Sequence, residues 1–410
     1  METKRIIANK LRLVLMLNNM KKVISTEKIP LKLWLDDLEE GAINQAKNLA
    51  NLPFAFKHIA IMPDSHQGYG MPIGGILATK DVIIPNAVGV DIGCGMCAVK
   101  TNLTEIDSKK LKKIMGEIRK VVPVGFNKQK NFQINFPDME DNLKVCLDNH
   151  KKAGLSVGTL GGGNHFIEIQ KGDDGNIWIM IHSGSRNLGL QVAKYYNDLA
   201  KELNKKWNSS VPEKFDLAFL PLDSNEGQAY LREMKYCVDY ALANRKLMMD
   251  RVGDVFMKVF PDNSRHGLLG TPEDLINIAH NYATMENHFG ENVMVHRKGA
   301  TLASEKTIGI IPGSQGTKSY IVKGLGNKES FNSCSHGAGR LMSRKKAKEE
   351  LSLDNEKKIL DDLGVIHGIR SVNDLDEAPS AYKDIKTVME NQKDLVEVLV
   401  ELTPLAVIKG

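Results

Sequence analysis

Apolar residues recur at three- and four-residue intervals along two lysine-rich stretches, DSKKLKKIMGEIRKVV (107–122) and LREMKYCVDYALANRKLMMDRVGDVFMKV (231–259). That period matches one face of an α-helix, so the first predicts an amphipathic helix and the second a helix or helix pair. A third helical region covers roughly 340–363, and TPEDLINIA, which ends at His280-Asn281, also reads as helical. Elsewhere the pattern changes to short β-rich runs: HIAIMP, DVIIP, NIWIMIHSGS and KTIGIIPGS. Their composition and length predict strands. FIEIQ and IWIMI flank Lys171-Gly-Asp-Asp-Gly175, which predicts a hairpin with that segment as its turn.

Glycine gathers in blocks at 68–75, 89–95, 158–163, 184–189 and 309–339, and several of these follow a predicted strand. Strand, then glycine loop, therefore recurs, with the polar chemistry at the strand ends and amphipathic helices left to pack outside. This predicts an α+β fold around a central mixed β-sheet. A chain of 410 residues makes one large domain or two ordinary ones. No internal repeat or low-complexity linker divides it, and 205–230, rich in Pro, Asn, Asp and Gly, reads as an excursion and not a boundary.

Composition narrows the class only a little. Hydrophobic residues at 42% and charged residues at 26% are ordinary for a globular protein with a real core. A net charge of +5 is compatible with a polyanionic partner but too small to argue for one. No apolar run reaches the length of a membrane span. The N-terminal METKRIIANKLRLVLMLNN is broken by polar residues before a signal-peptide core develops. Five cysteines are too few for a disulfide framework, so the expectation is a cytoplasmic protein with free thiols.

The candidate chemistry lies in the glycine loops. In SCSHGAGR (333–340), His336 stands among small residues that let a large ligand reach the backbone, and Arg340 suggests that the ligand is anionic. Such a histidine could serve as metal ligand, general base or nucleophile. Asp91 and Cys94 sit three residues apart on GVDIGCGMC; His165 follows three glycines, His182 follows IWIMI, and His280 precedes Asn281. One thiolate, one carboxylate and three imidazoles would suit a divalent transition metal, or two metals sharing the thiolate. Against this, a loop histidine is more often a hydrogen-bonding or surface residue, and the spacing matches no compact metal motif. Cys94-Gly-Met-Cys97 is formally CxxC, but Cys97 enters the alternating run CAVKT and reads as a buried residue. The loop Pro312-Gly-Ser-Gln-Gly-Thr317, with Ser319 beyond, offers N–H groups and hydroxyls to phosphate oxygens, although it is not a Walker A loop.

Together these blocks resemble the RtcB RNA-splicing ligases. The matching segments are MPDSHQGYGMPIGG (62–75), GVDIGCGM (89–96), GTLGGGNHFIEI (158–169), IHSGSRNLG (181–189), AHNYA (279–283), HRKGAT (296–301), IPGSQGTKSY (311–320), SCSHGAGR (333–340) and VIKG (407–410). The resemblance implies one large ligase domain over 1–410, with outer amphipathic helices around the sheet. It implies that His336 attacks the α-phosphate of GTP and carries GMP as a phosphoramidate. GMP then passes to an RNA 3′-phosphate, and the 5′-hydroxyl of a second RNA displaces it to seal the strand. Ends that begin as 2′,3′-cyclic phosphates are opened first. Two Mn²⁺ ions are implied, one on Asp91, Cys94 and His165, the other on Cys94, His182 and His280. Guanylate contacts carry over to Asn164, His165, Phe166, Glu168, His280, Asn281, Pro312, Gly313, Ser314, Gln315, Ser319, Gly337, Ala338, Gly339 and Lys409, besides His336.

Glu168 is the carboxylate assigned to the guanine edge, and Arg186 and Arg340 are assigned as phosphate clamps. His66 and His296 fall in family-like blocks and would orient a neighbour or touch RNA. His58, His150, His266, His288 and His367 read as surface or helix-facing residues. Gln315 departs from the methionine that many members carry. Expected partners are RNA ends and GTP, with an archease-type activator as a further candidate and no membrane. The rival reading is a paralogue that caps 3′-phosphates or binds RNA through its metals with little sealing. The lysine-rich helices would either track RNA phosphates or simply face solvent.

Overall fold

The structure is a computed structural model that describes residues 20–134 and 136–410; the N-terminal segment read above for a signal peptide lies outside the described residues. The strands form two large sheets. The first runs, edge to edge, through Lys22–Ile24, Leu31–Leu33, Ala55–Tyr69, Met71–Thr79, Glu291–Lys298 and Asn281–His288. It is mixed, because 31–33 lies parallel to 59–61 while its other neighbours are antiparallel. The second runs through Ile276–Ala279, Gly95–Lys100, Ile177–Ser183, Phe166–Gly172, Val396–Lys409, Ser319–Gly324 and Ile308–Ile311, antiparallel throughout. The α+β class is as read from the sequence, but the strands do not share one central sheet. The physical reason is that both faces of both sheets are apolar, and each sheet needs its own cover.

The second sheet shows this alternation clearly. Cys97, Val99, Ile167, Ile169, Ile177, Ile179 and Ile181 point to one face, where Leu111, Ile114, Ile118, Met248, Val252 and Phe256 from two helices pack on them. Met96, Ala98, Phe166, Trp178 and Met180 point to the other, against Leu360 and Val365. Strands buried on both faces read as continuous apolar runs, which is why IWIMI shows no polar alternation. Each fully buried Leu or Ile here contributes about 2 kcal/mol against the entropy of ordering the chain.

The helices follow their local signals. Ser108–Val121 begins where the Asp107 side chain accepts from the Lys110 N–H at 2.8 Å, and ends with Arg119 and Lys120 against the negative end of the dipole. The region 231–259 is one unbroken helix, Asn225–Val259, capped by Ser224, so the excursion at 205–230 ends inside it. The region 340–363 is split into Arg344–Glu350 and Leu353–Asp362, because Leu351 turns extended and Ser352 caps a new start. TPEDLINIA is not helical: after a single turn at Pro272–Asp274 it becomes the edge strand Ile276–Ala279. Asn277 decides this by donating to Leu242 O and accepting from Arg245 Nε, anchoring an extended backbone. In DVIIP only Val82–Ile83 is strand, since Pro85 opens a helical turn. The hairpin around 173–175 forms as read, and all five cysteines are free and buried. Among the described residues, no helix is long and apolar enough to cross a membrane.

Candidate active site

Antiparallel register gathers the candidate residues at one end of the second sheet. Gly95 pairs with Ser183 and Ala279, Phe166 with His182, and Lys409 with Phe166. Cys94, His165, His182, His280 and Lys409 therefore come from five strand ends that face the same cavity. The cavity measures about 940 Å³ and is also lined by Asp91, Asn164, Phe166, Glu168, Asn281, Pro312 to Gln315 and His336 to Gly339. The residues assigned from the sequence to metal, guanylate and nucleophile all line it except Ser319, whereas of the two arginines assigned as phosphate clamps Arg340 does and Arg186 does not.

The donor atoms of Cys94, His165 and His182 lie within 4.8 Å of one another. Cys94 Sγ is 3.5 Å from His165 Nε2 and 3.3 Å from His182 Nε2. Asp91 Oδ2 stands 3.4 Å from His165 Nε2, and His280 Nε2 stands 3.4 Å from His182 Nε2. The far nitrogens settle the tautomers. His165 Nδ1 meets Leu160 O at 3.0 Å and His182 Nδ1 meets Asn164 O at 3.1 Å. A carbonyl only accepts, so Nδ1 carries the hydrogen in each and Nε2 is left with its lone pair. Burial first, then neighbouring imidazoles, hold His182 and His280 well below the usual histidine range, so both are neutral donors. Burial, and then the Asp91 charge, push the Cys94 thiol well above its usual value. Imidazole lone pairs thus converge on a sulfur whose single proton is all they have to share, and with Cys94 deprotonated the set would suit a divalent transition metal.

His336 follows the short strand Ser333–Ser335, and its ring centroid is 4.9 Å from that of His280. Its Nδ1 lies 2.6 Å from Asp64 Oδ2, a charge contact, and that oxygen accepts from the His336 and Gly337 N–H groups at 3.0 and 3.2 Å. Asp64 is fully buried; burial opposes its ionisation, but the His336 ring overrides this and holds it below the usual carboxylate range. Gly339 has φ +73°, and a Cβ there would fall 2.1 Å from Asp64 O, so a side chain would push the loop off its carboxylate.

The wall opposite the imidazoles is charged. Glu377 is a hub: Oε1 accepts from Arg344 Nε at 2.9 Å and Arg340 Nη1 at 3.2 Å, Oε2 accepts from the Tyr382 hydroxyl, and Lys409 Nζ lies 3.9 Å away. Lys409 also sits over the Phe166 ring, 5.4 Å from its centroid. Glu168 is buried beside Gln170, and desolvation raises it to about 8, partly offset by Lys409. Gln315 donates to Glu377 O at 2.7 Å.

Some assignments land elsewhere. Ser319 Oγ accepts from Gly313 N at 3.1 Å and Gln170 Nε2 at 3.0 Å, so it shapes the 312–317 loop from behind. Arg186 donates to Thr159 Oγ1 at 2.9 Å and packs under Gly161 without lining the cavity. His296 is fully buried between Ile84 N and Leu77 O and does not line the cavity. His66 does line the cavity, with Nδ1 3.1 Å from Asp64 O. His58 and His288 are buried, not surface residues, as both contact the Phe331 ring. His150 and His266 are exposed, and His367 pairs with Asp361 at 3.2 Å.

Two positioning residues were missed by sequence reading. Asp64 stood inside a recognised block without any sign of its partner. Arg245, in the middle of the long helix, is fully buried and donates through Nη1 to Gly93 O and Ser183 O, each at 2.9 Å. It ties together the backbones beside Cys94 and His182. A buried-facing arginine on an amphipathic helix was the available signal.

A sequence profile described as tRNA-splicing ligase RtcB matches residues 45–153 and 138–410. The chain is 39% identical over 414 residues to the RNA-splicing ligase RtcB of Escherichia coli (strain K12), covering 95% of this chain and 99% of that one. It is 31% identical over 462 residues to the tRNA-splicing ligase RtcB of Thermococcus kodakarensis, covering 93% and 95%. With the tRNA-splicing ligase RtcB of Methanococcus maripaludis it shares 33% over 453 residues, covering 92% and 93%.

Proposed function

This chain belongs to the RtcB family, and we propose that it is an RNA ligase that uses GTP to join 3′-phosphate or 2′,3′-cyclic phosphate ends to 5′-hydroxyl ends. The observation that carries this reading is the position of His336, backed by Asp64 and set 4.9 Å, ring to ring, from the Cys/His cluster in one cavity. With Nδ1 turned to Asp64, the free Nε2 lone pair is the nucleophile. It attacks the α-phosphorus of GTP, the N–P bond forms, and pyrophosphate leaves with the electrons of the broken P–O bond. Asp64 offsets the positive charge that develops on the ring.

An oxygen of the RNA 3′-phosphate then attacks the same phosphorus, and the N–P bond breaks back to neutral His336. Attack by the 5′-hydroxyl on the RNA phosphorus expels GMP and closes the strand. Asp91, Cys94 and His165, and Cys94, His182 and His280, would hold two divalent ions, Mn²⁺ by the family resemblance, which supply charge neutralisation for the clustered phosphates. Glu168 would read the guanine N1–H and N2–H₂ edge, while Lys409 and the 312–315 loop hold the nucleotide. The whole chain, 1–410, acts as one ligase domain in the cytoplasm, on tRNA or other broken RNA, with or without an activating partner.

The test is incubation with Mn²⁺ and GTP labelled at the α-phosphate, comparing wild type with His336→Ala. Label that survives denaturation, is released by acid and is missing from the variant supports the reading. Absence of label on folded, Mn²⁺-loaded wild type sinks it. Label without joined RNA would favour the capping paralogue.

A further inference from the structure

The cavity described above gathers imidazoles, carboxylates and cations, and its mouth also carries apolar side chains that nothing covers. Tyr69 is 78% exposed, Leu341 63% and Val90 52%, and all three line the same cavity as His336. Among the described residues, no aromatic ring or cation stacks on the Tyr69 ring, and its hydroxyl has no hydrogen-bond partner. An exposed tyrosine on a mobile loop would mean little. This one stands on a clamped turn. Its carbonyl accepts from the buried Lys298 Nζ at 2.5 Å, and the same ammonium donates to Asn86 O at 2.9 Å. Gly70, next in the chain, has φ +66° and leaves no room for a Cβ, which would lie 2.6 Å from Asn86 Nδ2 and 2.7 Å from Asp216 O. Asn86 is itself bonded to Asp216 O at 2.8 Å. Three separate elements thus hold the backbone while the ring projects freely into the mouth.

The charge at this mouth says what passes through it. Arg344, on Glu377, and Lys345, 3.8 Å from Glu349, are still exposed there over 52% and 85% of their side chains, and Arg340 lies just inside. The nearby carboxylates are engaged: Glu39 accepts from Gln67 N, Glu377 binds the two arginines, and Asp91 lies 3.4 Å from His165 Nε2. A polyanion with flat apolar faces fits this combination of cations and ring, and single-stranded nucleic acid has that chemistry. A terminal phosphate must descend to His336 at the cavity floor, so the nucleotide that carries it must leave its neighbours' stack. An aromatic platform replaces the stacking lost, and does so for any base because every base has a π-face.

We propose that Tyr69 is a stacking platform for an unpaired nucleobase next to the RNA join, with Val90 and Leu341 as its apolar borders. The proposal rests on the ligase reading and adds a specificity element to it: a requirement for an unstacked base without preference for which base. The base belongs to either the 3′-phosphate strand or the 5′-hydroxyl strand, and the experiment separates the two.

The experiment measures the affinity of Mn²⁺-loaded protein for short single-stranded RNAs by fluorescence anisotropy, alongside the KM for RNA in joining. Tyr69→Ala should weaken RNA binding and raise that KM by about tenfold or more. Tyr69→Phe and Tyr69→Trp should retain wild-type values, since the ring and not the hydroxyl does the stacking. Uptake of label from GTP, which involves no RNA, should be the same in all three. An abasic nucleotide placed at the end of one strand should weaken wild type by the same factor and leave Tyr69→Ala unmoved, and the strand on which this happens is the source of the base. Wild-type RNA affinity in Tyr69→Ala overturns the proposal, as does a Tyr69→Phe variant as weak as Tyr69→Ala. Equal losses of RNA binding and GTP labelling also overturn it, because they would mean a structural role. Failure of the ligase reading shows separately, as absence of label on wild type, and the binding comparison still decides whether Tyr69 holds RNA.

Discussion

His336 Nδ1 stands 2.6 Å from Asp64 Oδ2, although 272 positions of chain separate the two residues. The same carboxylate oxygen holds the backbone N–H groups of His336 and Gly337, so one buried charge fixes both the loop and the orientation of the ring. Asp64→Asn keeps the shape but removes the charge that balances the imidazole. It should slow formation of the protein–GMP adduct by about 100-fold or more while the protein stays folded. The rate of label uptake from GTP is the measurement. An unchanged rate would limit Asp64 to holding the loop.

Cys94 is held as a thiol by burial and by the Asp91 charge, whereas a metal ligand must be a thiolate. Binding of a cation therefore releases the Cys94 proton, and affinity must rise with pH below the thiol's own pKa. The expected slope is about tenfold per pH unit for Mn²⁺, followed by calorimetry between mildly acidic and mildly basic buffers. His182 and His280 are already neutral and add nothing to that slope. Cys94→Ser should bind more weakly and with a flatter profile. A wild-type affinity that ignores pH would remove Cys94 from the metal set.

Glu168 is raised to about 8 by desolvation, so at neutral pH it is mostly a neutral acid. A carboxylate is what can accept both hydrogens of the guanine edge. GTP affinity should then increase as pH rises from about 6.5 towards 8 and level off above, with the ionised form selected by the ligand. Glu168→Gln should bind GTP more weakly with no such rise. Identical pH profiles for variant and wild type would mean that another group reads the base.

Arg297 is fully buried and pairs with Glu286, with Nη2 3.0 Å from Oε2. Burial works against ionisation of Glu286, but Arg297 and then His288 override it and bring the carboxyl to about 2. A depressed carboxylate stabilises the fold above its unfolded value, near 4.5, and loses that contribution as pH falls through about 2. Glu286→Gln should therefore cost about 3–5 kcal/mol at pH 7, because it strands a buried guanidinium. In urea melts the gap between variant and wild type should narrow as the medium is acidified below about pH 4. A gap that stays constant into acid would show that the ion pair is not its cause.

What could be read along the chain was local. The 3.6-residue period of 107–122 and 231–259 and the apolar run IWIMI depend on neighbours within a few positions, and the elements they predict are present. The motif residues at the strand ends, from Asp91 to Lys409, could be read for the same reason, and the cavity is lined by nearly all of them. What could not be read was pairing. Asp64 meets His336, Arg245 meets Gly93 and Ser183, and Asn277 turns a helical-looking segment into an edge strand, each through contacts across long stretches of chain. Two large sheets in place of one, and Ser319 turned behind its loop, follow from strand register and from which apolar face finds cover. Periodicity and motifs depend on bonded neighbours, so the sequence by itself determined most of the elements and the candidate residues that meet at the cavity. Register, burial and the partner of each buried charge depend on every strand being in place at once, so only the tertiary structure decided them.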